Sequence, residues 1–373
     1  MRILAVDIGT GTQDILLADS SGPLENATQL ILPSPTLAVA GRIRAATAAR
    51  QAVLLTGTIM GGGPCAWAAE DHLRAGLAVY AAPDAARTFD DDPARVTALG
   101  VQIVEPSTAV AGAVTIPLRD FDPAAILAVV AEFGGDPTVD ALALAVFDHG
   151  DAPPGVSDRR FRFDYLAERL AAGGQTDLTA FAFMRAAIPV GMTRLAAAAH
   201  APTGVLADLP ILAMDTGPAA ILGTLEDPTV RAAANSDSGA LICNVGNFHT
   251  LAFLIVAGRV TGLFEHHTGE LTDAQLAALL TRLAAGTLTN GEVFDHKGHG
   301  ALLLDPTPRR PRLCAVTGPR RAKLATVPLP APLHQAVPHG AMMLTGCFAL
   351  LRALAVHWPP AQEPVAALLA GAG

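Results

Sequence analysis

The apolar positions of this chain fall into short runs that end at polar or glycine-rich turns. Ile3 to Val6 is the first, closed by Asp7; Gly9, Thr10, Gly11 and Thr12 follow, and a second run starts at Ile15. Two β-prone runs joined by a short Gly/Thr turn predict a hairpin. Further strands are expected over Gln29 to Pro33, Ala52 to Thr56, Leu77 to Ala81, Val101 to Val104 and Ala141 to Phe147. Helices are expected over Thr36 to Thr47 and Pro123 to Phe133. Strands alternating with helices predict an α/β sheet. Leu209 to Met214 reads as another strand, ending at Asp215. Ala341 to His357 has no breaker except Gly346 and predicts a long buried helix. Pro359-Pro360 stops it, and Pro364 to Gly373 reads as a peripheral helix.

The hairpin pattern recurs. In Leu241 to Gly258, Asn244 stands where Asp7 stood, Gly246 where Gly9 stood, and Leu251 to Val256 supplies the second strand. One repeat at so long a separation predicts two related lobes, because solenoids repeat at ~20–50 residues. Glycine lets a backbone approach a ligand and turns successive N–H groups toward an anion. Asp7, at a strand end, suits a hydrated metal ion beside that anion; a turn that needs glycine for geometry alone is the other reading. A third element, Arg312 to Lys323, ends an apolar run in Thr317-Gly318-Pro319 and continues into Arg320 and Arg321. Such a strand-to-helix turn offers free N–H groups, and proline suits the first helical position.

These three segments resemble the motifs of the actin-like ATPase superfamily of sugar kinases, heat-shock ATPases and actin. Asp7-Ile8-Gly9-Thr10-Gly11-Thr12 is similar to its first phosphate motif, Asn244-Val245-Gly246-Asn247 to its second, and Val316-Thr317-Gly318-Pro319 to its adenosine motif. The resemblance implies two ribonuclease H-like lobes, ATP and Mg²⁺ in the cleft between them, and Gly9 to Thr12, Asn244, Gly246, Asn247, Thr317, Gly318 and Arg320 at the nucleotide. Asp7 would hold the Mg²⁺. One departure stands out: superfamily members that hydrolyse ATP usually carry Asp where this chain has Asn244. Other segments (Phe147-Asp148-His149-Gly150, Asp215-Thr216-Gly217-Pro218, Phe264-Glu265-His266-His267) resemble a bacterial and archaeal family linked by name to pyruvate formate-lyase activation. No activity comes with that resemblance. A radical enzyme needs a cysteine cluster for its iron–sulfur centre, and Cys65, Cys243, Cys314 and Cys347 are scattered.

Composition narrows the picture further. At 373 residues and 51% apolar, the chain can fill two cores. A net charge of −9 argues against a nucleic-acid surface. No apolar stretch reaches the ~20 residues of a membrane span, and no signal peptide is evident, so a cytoplasmic location is expected.

Ligands of open α/β sheets gather at the carboxyl ends of strands. Asp148 and His149 follow one such strand and Asp215 another; Asp215 or His149 could take a proton from an acceptor, or Asp215 could simply cap a helix. Pro153 to Phe163 reads as a loop whose Arg159 could bind an anionic substrate. Glu265, His266 and His267 could form a polar substrate wall. Together with His296 and His299 they could instead bind zinc or iron. The expected organisation is a first lobe over residues 1–205 and a second over 206–373, with the last helix crossing back. The leading expectation is ATP-dependent phosphoryl transfer to, or activation of, a small polar metabolite. A slow or non-hydrolysing nucleotide-binding regulator and a metal-dependent hydrolase or lyase are the alternatives. The long apolar helix could also hide a homodimer face.

Overall fold

A computed structural model describes residues 1–371. The chain opens with the expected hairpin, β1 (Arg2–Ile8) and β2 (Thr12–Asp19), extended by β3 (Thr28–Pro33) into an antiparallel meander. A helix, Pro35–Ala48, then leads into four parallel strands: β4 (Val53–Gly57), β5 (Val79–Ala81), β6 (Gln102–Ile103) and β7 (Val114–Leu118). They form their own sheet, ordered β6-β5-β4-β7, over a separate core that includes Ile43, Leu55 and Ile116. This inserted layer, with β7, is absent from the sequence reading.

The chain returns to the first sheet with β8 (Ala141–Val146), β9 (Ala182–Met184) and β10 (Ile211–Asp215), giving the order β3-β2-β1-β8-β10-β9. β8 is buried along its whole length because it lies between β1 and β10, parallel to both. The second lobe holds β11 (Ala240–Val245), β12 (His249–Val256), β13 (Arg259–His267), β14 (Gly300–Leu303), β15 (Cys314–Thr317) and β16 (Leu333–Gln335). Its order is β14-β13-β12-β11-β15-β16. In both sheets a three-stranded meander carries two parallel strands on the far side of its first strand: β3-β2-β1-β8-β10 and β13-β12-β11-β15-β16. The repeat read in the hairpins therefore extends to whole sheets, and the fold is α/β with two actin-like lobes.

Two boundaries move. β10 completes the first sheet, so that lobe reaches past residue 205 to Asp215; the helix Thr216–Thr224 then leads away and touches both β10 and β11. The closing helix, Thr345–His357, packs on β1, β8 and β10, so residues 206–373 are not one continuous lobe. The helix after it, Gln362–Ala370, is seated rather than peripheral, with Val365, Leu368 and Leu369 in the first lobe's core. The last two positions of that expected tail lie outside the described residues. Among the described residues no helix is long and apolar enough to cross a membrane.

Candidate functional site

The turn between β1 and β2 and the turn between β11 and β12 face one another across a cavity of ≈ 140 Å³. Both close in the same way: Gly9 N donates to Thr12 O at 2.9 Å, and Gly246 N donates to His249 O at 2.9 Å. They nearly touch, since a Cβ on Gly11 would stand 2.5 Å from Asn247 Nδ2. The turn after β15 abuts the second of them. Gly318 has φ +94°, and a Cβ there would stand 2.5 Å from Asn244 Oδ1, so this position excludes a side chain on two counts. Arg320 N donates to Val245 O at 3.0 Å, while its Nε reaches only 3.4 Å from Asn247 Oδ1. The three segments singled out in the sequence thus line one cleft.

Asp7 forms the floor. Thr216 Oγ1 donates to its Oδ1 at 2.6 Å. Burial raises the Asp7 carboxyl to about 6 against the opposing effect of that hydroxyl, and the charge of Asp215 adds to the rise. Asp14 stands directly opposite on β2, buried, and its Oδ1 has no hydrogen-bond partner. Burial, then the charge of Asp7, pushes it up to about 8. Two close carboxylates with an orphaned oxygen fit a divalent cation, which would relieve both. Asp14 was missed in the sequence, although an aspartate beside the apolar run Ile15 to Ala18 was a signal. Gly346 was read only as a helix breaker. It sits where a Cβ would collide with the Asp7 carboxylate.

A second compartment of ≈ 350 Å³ adjoins the first and shares Phe147, Phe248 and His249 with it. Several expected site residues here are committed elsewhere. Asp215 is 1% exposed and gripped by Arg162, whose Nη1 pairs with Oδ2 while Nη2 donates to Oδ1 at 2.8 Å. It also caps the helix Thr216–Thr224 through Gly217 N. The capping role is the one its geometry supports, and neither oxygen is free to act as a base. Asp148 accepts from Gly150 N at 2.9 Å and Leu195 N at 2.8 Å, which braces the end of β8 rather than offering a ligand. The expected loop Pro153 to Phe163 is helical from Asp158, within the helix Asp158–Ala172. Its Arg159 donates to Phe294 O at 2.9 Å and Gly298 O at 2.6 Å, stapling lobe to lobe instead of awaiting an anion.

The histidines also sort differently. Side chains alternate along a strand, so Glu265 and His267 on β13 face one way and His266 the other. His266 lies in a separate pocket with His296, whose Nδ1 is 2.8 Å from Glu292 O. Glu265 is fully buried and pairs with Arg162 at 3.2 Å. What converges instead is His149, His249 and His299, whose ring nitrogens lie within 4.8 Å of one another. His267 flanks them, its ring centroid 4.6 Å from that of His299. Burial depresses His149 to about 3, His299 to about 2 and His249 well below its ordinary value. All three are neutral at pH 7, and His149 is a poor proton acceptor.

The paired sheets and the cleft between their turns define an actin-like two-lobed protein. Residues 60–323 match the family model described as "Putative pyruvate format-lyase activating enzyme (DUF1786)", and the chain belongs to that family. No curated protein matches it. Solved structures similar to it include an inorganic polyphosphate/ATP-glucomannokinase from Arthrobacter sp. strain KM. That similarity is 12% identity over 95% of this chain and 99% of the kinase, with a TM-score of 0.35. An exopolyphosphatase-like protein is similar at 10% identity over 85% of this chain and 65% of its own, with a TM-score of 0.27. The family description implies an iron–sulfur centre, which the donor set does not fit. Cys65 lies in the inserted layer's core, Cys243 and Cys314 in the second lobe's, and Cys347 in the first lobe's. Three or four thiolates cannot converge from there.

Proposed function

We propose that this protein binds Mg²⁺ and ATP in the interlobe cleft and transfers a phosphoryl group to a small polar metabolite. One observation carries the reading: two glycine turns with the same closure, a third glycine turn beside them, and a pair of facing carboxylates all line a single cavity. Gly9 to Thr12 and Gly246 to Asn247 would hold phosphates through backbone N–H groups. Thr317, Gly318 and Arg320 would lie along the adenosine. Asp7, with Asp14 opposite, would hold the cation, whose role is to neutralise charge on the transferring group. The cavity takes a phosphate-sized group in this closed arrangement, so nucleotide entry would require the lobes to part. The acceptor would enter from the second compartment.

Asn244 favours a second reading, a regulator that holds nucleotide with little turnover. It has no charge to help hold a metal and its waters. Calorimetry with Mg·ATP on wild type and Asp7→Ala tests the first step: micromolar binding that weakens at least tenfold in the variant is expected. Wild-type protein that does not bind would sink both readings. Tight binding without any acceptor-dependent ADP release, across a panel of polyols and carboxylates, would select the regulator.

A further inference from the structure

We infer that His149, His249 and His299 form a binding site for one divalent transition-metal ion of the zinc or iron(II) class, held between the lobes. The inference goes beyond the nucleotide reading and needs neither Asp7 nor ATP. His149 follows β8 of the first lobe, His249 begins β12 of the second, and His299 precedes β14. Three neutral imidazoles supply one ligand atom each, all within 4.8 Å of one another. On a tetrahedral ion with bonds of ~2.0–2.1 Å the ligand atoms stand roughly 3.4 Å apart. A contraction of about an ångström, within the reach of small ring rotations, would complete the site.

Three observations point to an ion rather than to packing. First, two of the rings lack partners. His299 is 1% exposed, and neither of its nitrogens has a hydrogen bond; Nε2 of His249 has none either. A neutral imidazole always carries one donor and one acceptor, and buried polar groups are otherwise almost always paired. Second, the rings are supported by their neighbours. Phe147 stacks on His249 at 3.9 Å and 7°, meets His149 edge-on at 4.8 Å and lies against the Arg162 guanidinium at 4.3 Å. The Glu265 carboxylate stands 3.9 Å from His299 Nδ1, the place where metal-bound histidines keep a supporting carboxylate. Third, the arginines beside the site are paired with carboxylates, Arg194 with Asp120 among them. Arg162 is matched by Asp215 and Glu265. The adjoining compartment sets five carboxylates (Asp90, Asp91, Asp120, Asp148, Asp158) against Arg87 and Arg194. Three protein ligands leave at least one coordination position open toward that compartment, the pattern of reactive rather than purely structural metal sites.

The test uses the full chain, purified without a histidine tag and without nucleotide. Elemental analysis should find about one equivalent of zinc or iron, and chelator-treated protein should take up one equivalent of Co²⁺ with visible d–d absorption. His149→Ala and His299→Ala should each lower Co²⁺ affinity at least tenfold, whereas His200→Ala, on an exposed helix end, should leave it unchanged. X-ray absorption on the Co²⁺-loaded wild type should count three imidazoles and does not depend on any variant folding. No uptake by wild type, one imidazole or none at the metal, or unchanged affinity in a folded His299→Ala variant would overturn the site. ATP calorimetry on the metal-free protein separates the two readings, since loss of either binding event leaves the other standing.

Discussion

At the scale of single residues, the cleft depends on absent side chains as much as present ones. Gly346 lies in the first turn of the closing helix against Asp7. Alanine is the better helix former by up to ~1 kcal/mol, but a buried methyl forced against Asp7 Cβ and Cγ overpacks the site at ~1–3 kcal/mol, so Gly346→Ala should lower the melting temperature. The same methyl group must displace the Asp7 carboxylate, and Mg·ATP affinity should fall at least tenfold, ~1.4 kcal/mol, by calorimetry. A folded Gly346→Ala protein that kept wild-type Mg·ATP affinity would show that the glycine does not serve the site. The sequence showed Asp7, Gly9, Asn244 and Gly318 because each interrupts an apolar run. It did not show the histidine triad, because positions 149, 249 and 299 meet only through sheet topology. It also misled: neighbouring histidines such as His266 and His267 look like a cluster, but pleating sends them to opposite faces.

At the scale of elements, the helix Asp158–Ala172 ties the lobes together. Arg162 reaches Asp215 on the first sheet and Glu265 on the second, all three buried. Removing one partner of a buried ion network leaves uncompensated charge, at a cost of ~3–5 kcal/mol. Arg162→Ala should lose about that much in urea denaturation, and Arg162→Lys, without the planar fork, should lose less. This helix was hidden in the sequence because its buried face carries an arginine in place of an aliphatic residue. The closing helix has its own tie. Arg352 donates twice to Glu226 at 2.9 Å, and Arg231 adds a third contact at 3.0 Å. Burial alone would raise Glu226, but the approach of His339 Nε2 at 3.6 Å, the hydrogen bonds of Arg352, and the charges of Arg352 and Arg231 bring it down to about 2 from an ordinary 4.5. A depressed carboxyl stabilises the fold fully above 4.5, and that contribution disappears as pH falls through 2. Glu226→Gln should therefore cost ~2 kcal/mol at pH 7. The gap from wild type should shrink between pH 4.5 and 2 in denaturation curves.

At the scale of the whole molecule, the inserted layer reaches across to the second lobe. Trp67, on the helix Pro64–Arg74, meets Phe248 at 5.5 Å, and a Cβ on Gly63 would stand 2.7 Å from the same ring. Phe248 belongs to the second glycine turn, so the contact spans the mouth of the cleft. In a Trp358→Phe background, Trp67 is the sole tryptophan. Mg·ATP should then shift its emission as the lobes rearrange; an unchanged spectrum at saturating ligand would argue against any such motion. The two-lobed plan was legible because the hairpin pattern repeats in the sequence. The inserted sheet was not, because β4 to β6 read as ordinary strands, β7 was not read at all, and which strands pair in a parallel sheet is set by crossovers rather than by local pattern.

The closing helix has one more consequence, for the order in which the molecule is made. Its partners include β1, and more than three hundred residues separate the two. Synthesis at ~5–20 residues per second leaves the first sheet without its cover for on the order of tens of seconds. The second lobe has no such delay, since β11 to β16 are contiguous and its core of Leu241, Phe264 and Leu280 draws on that stretch alone. Of the two lobes the one encoded first is thus completed last, and the nascent chain carries an uncovered apolar sheet face until the closing helix has been made.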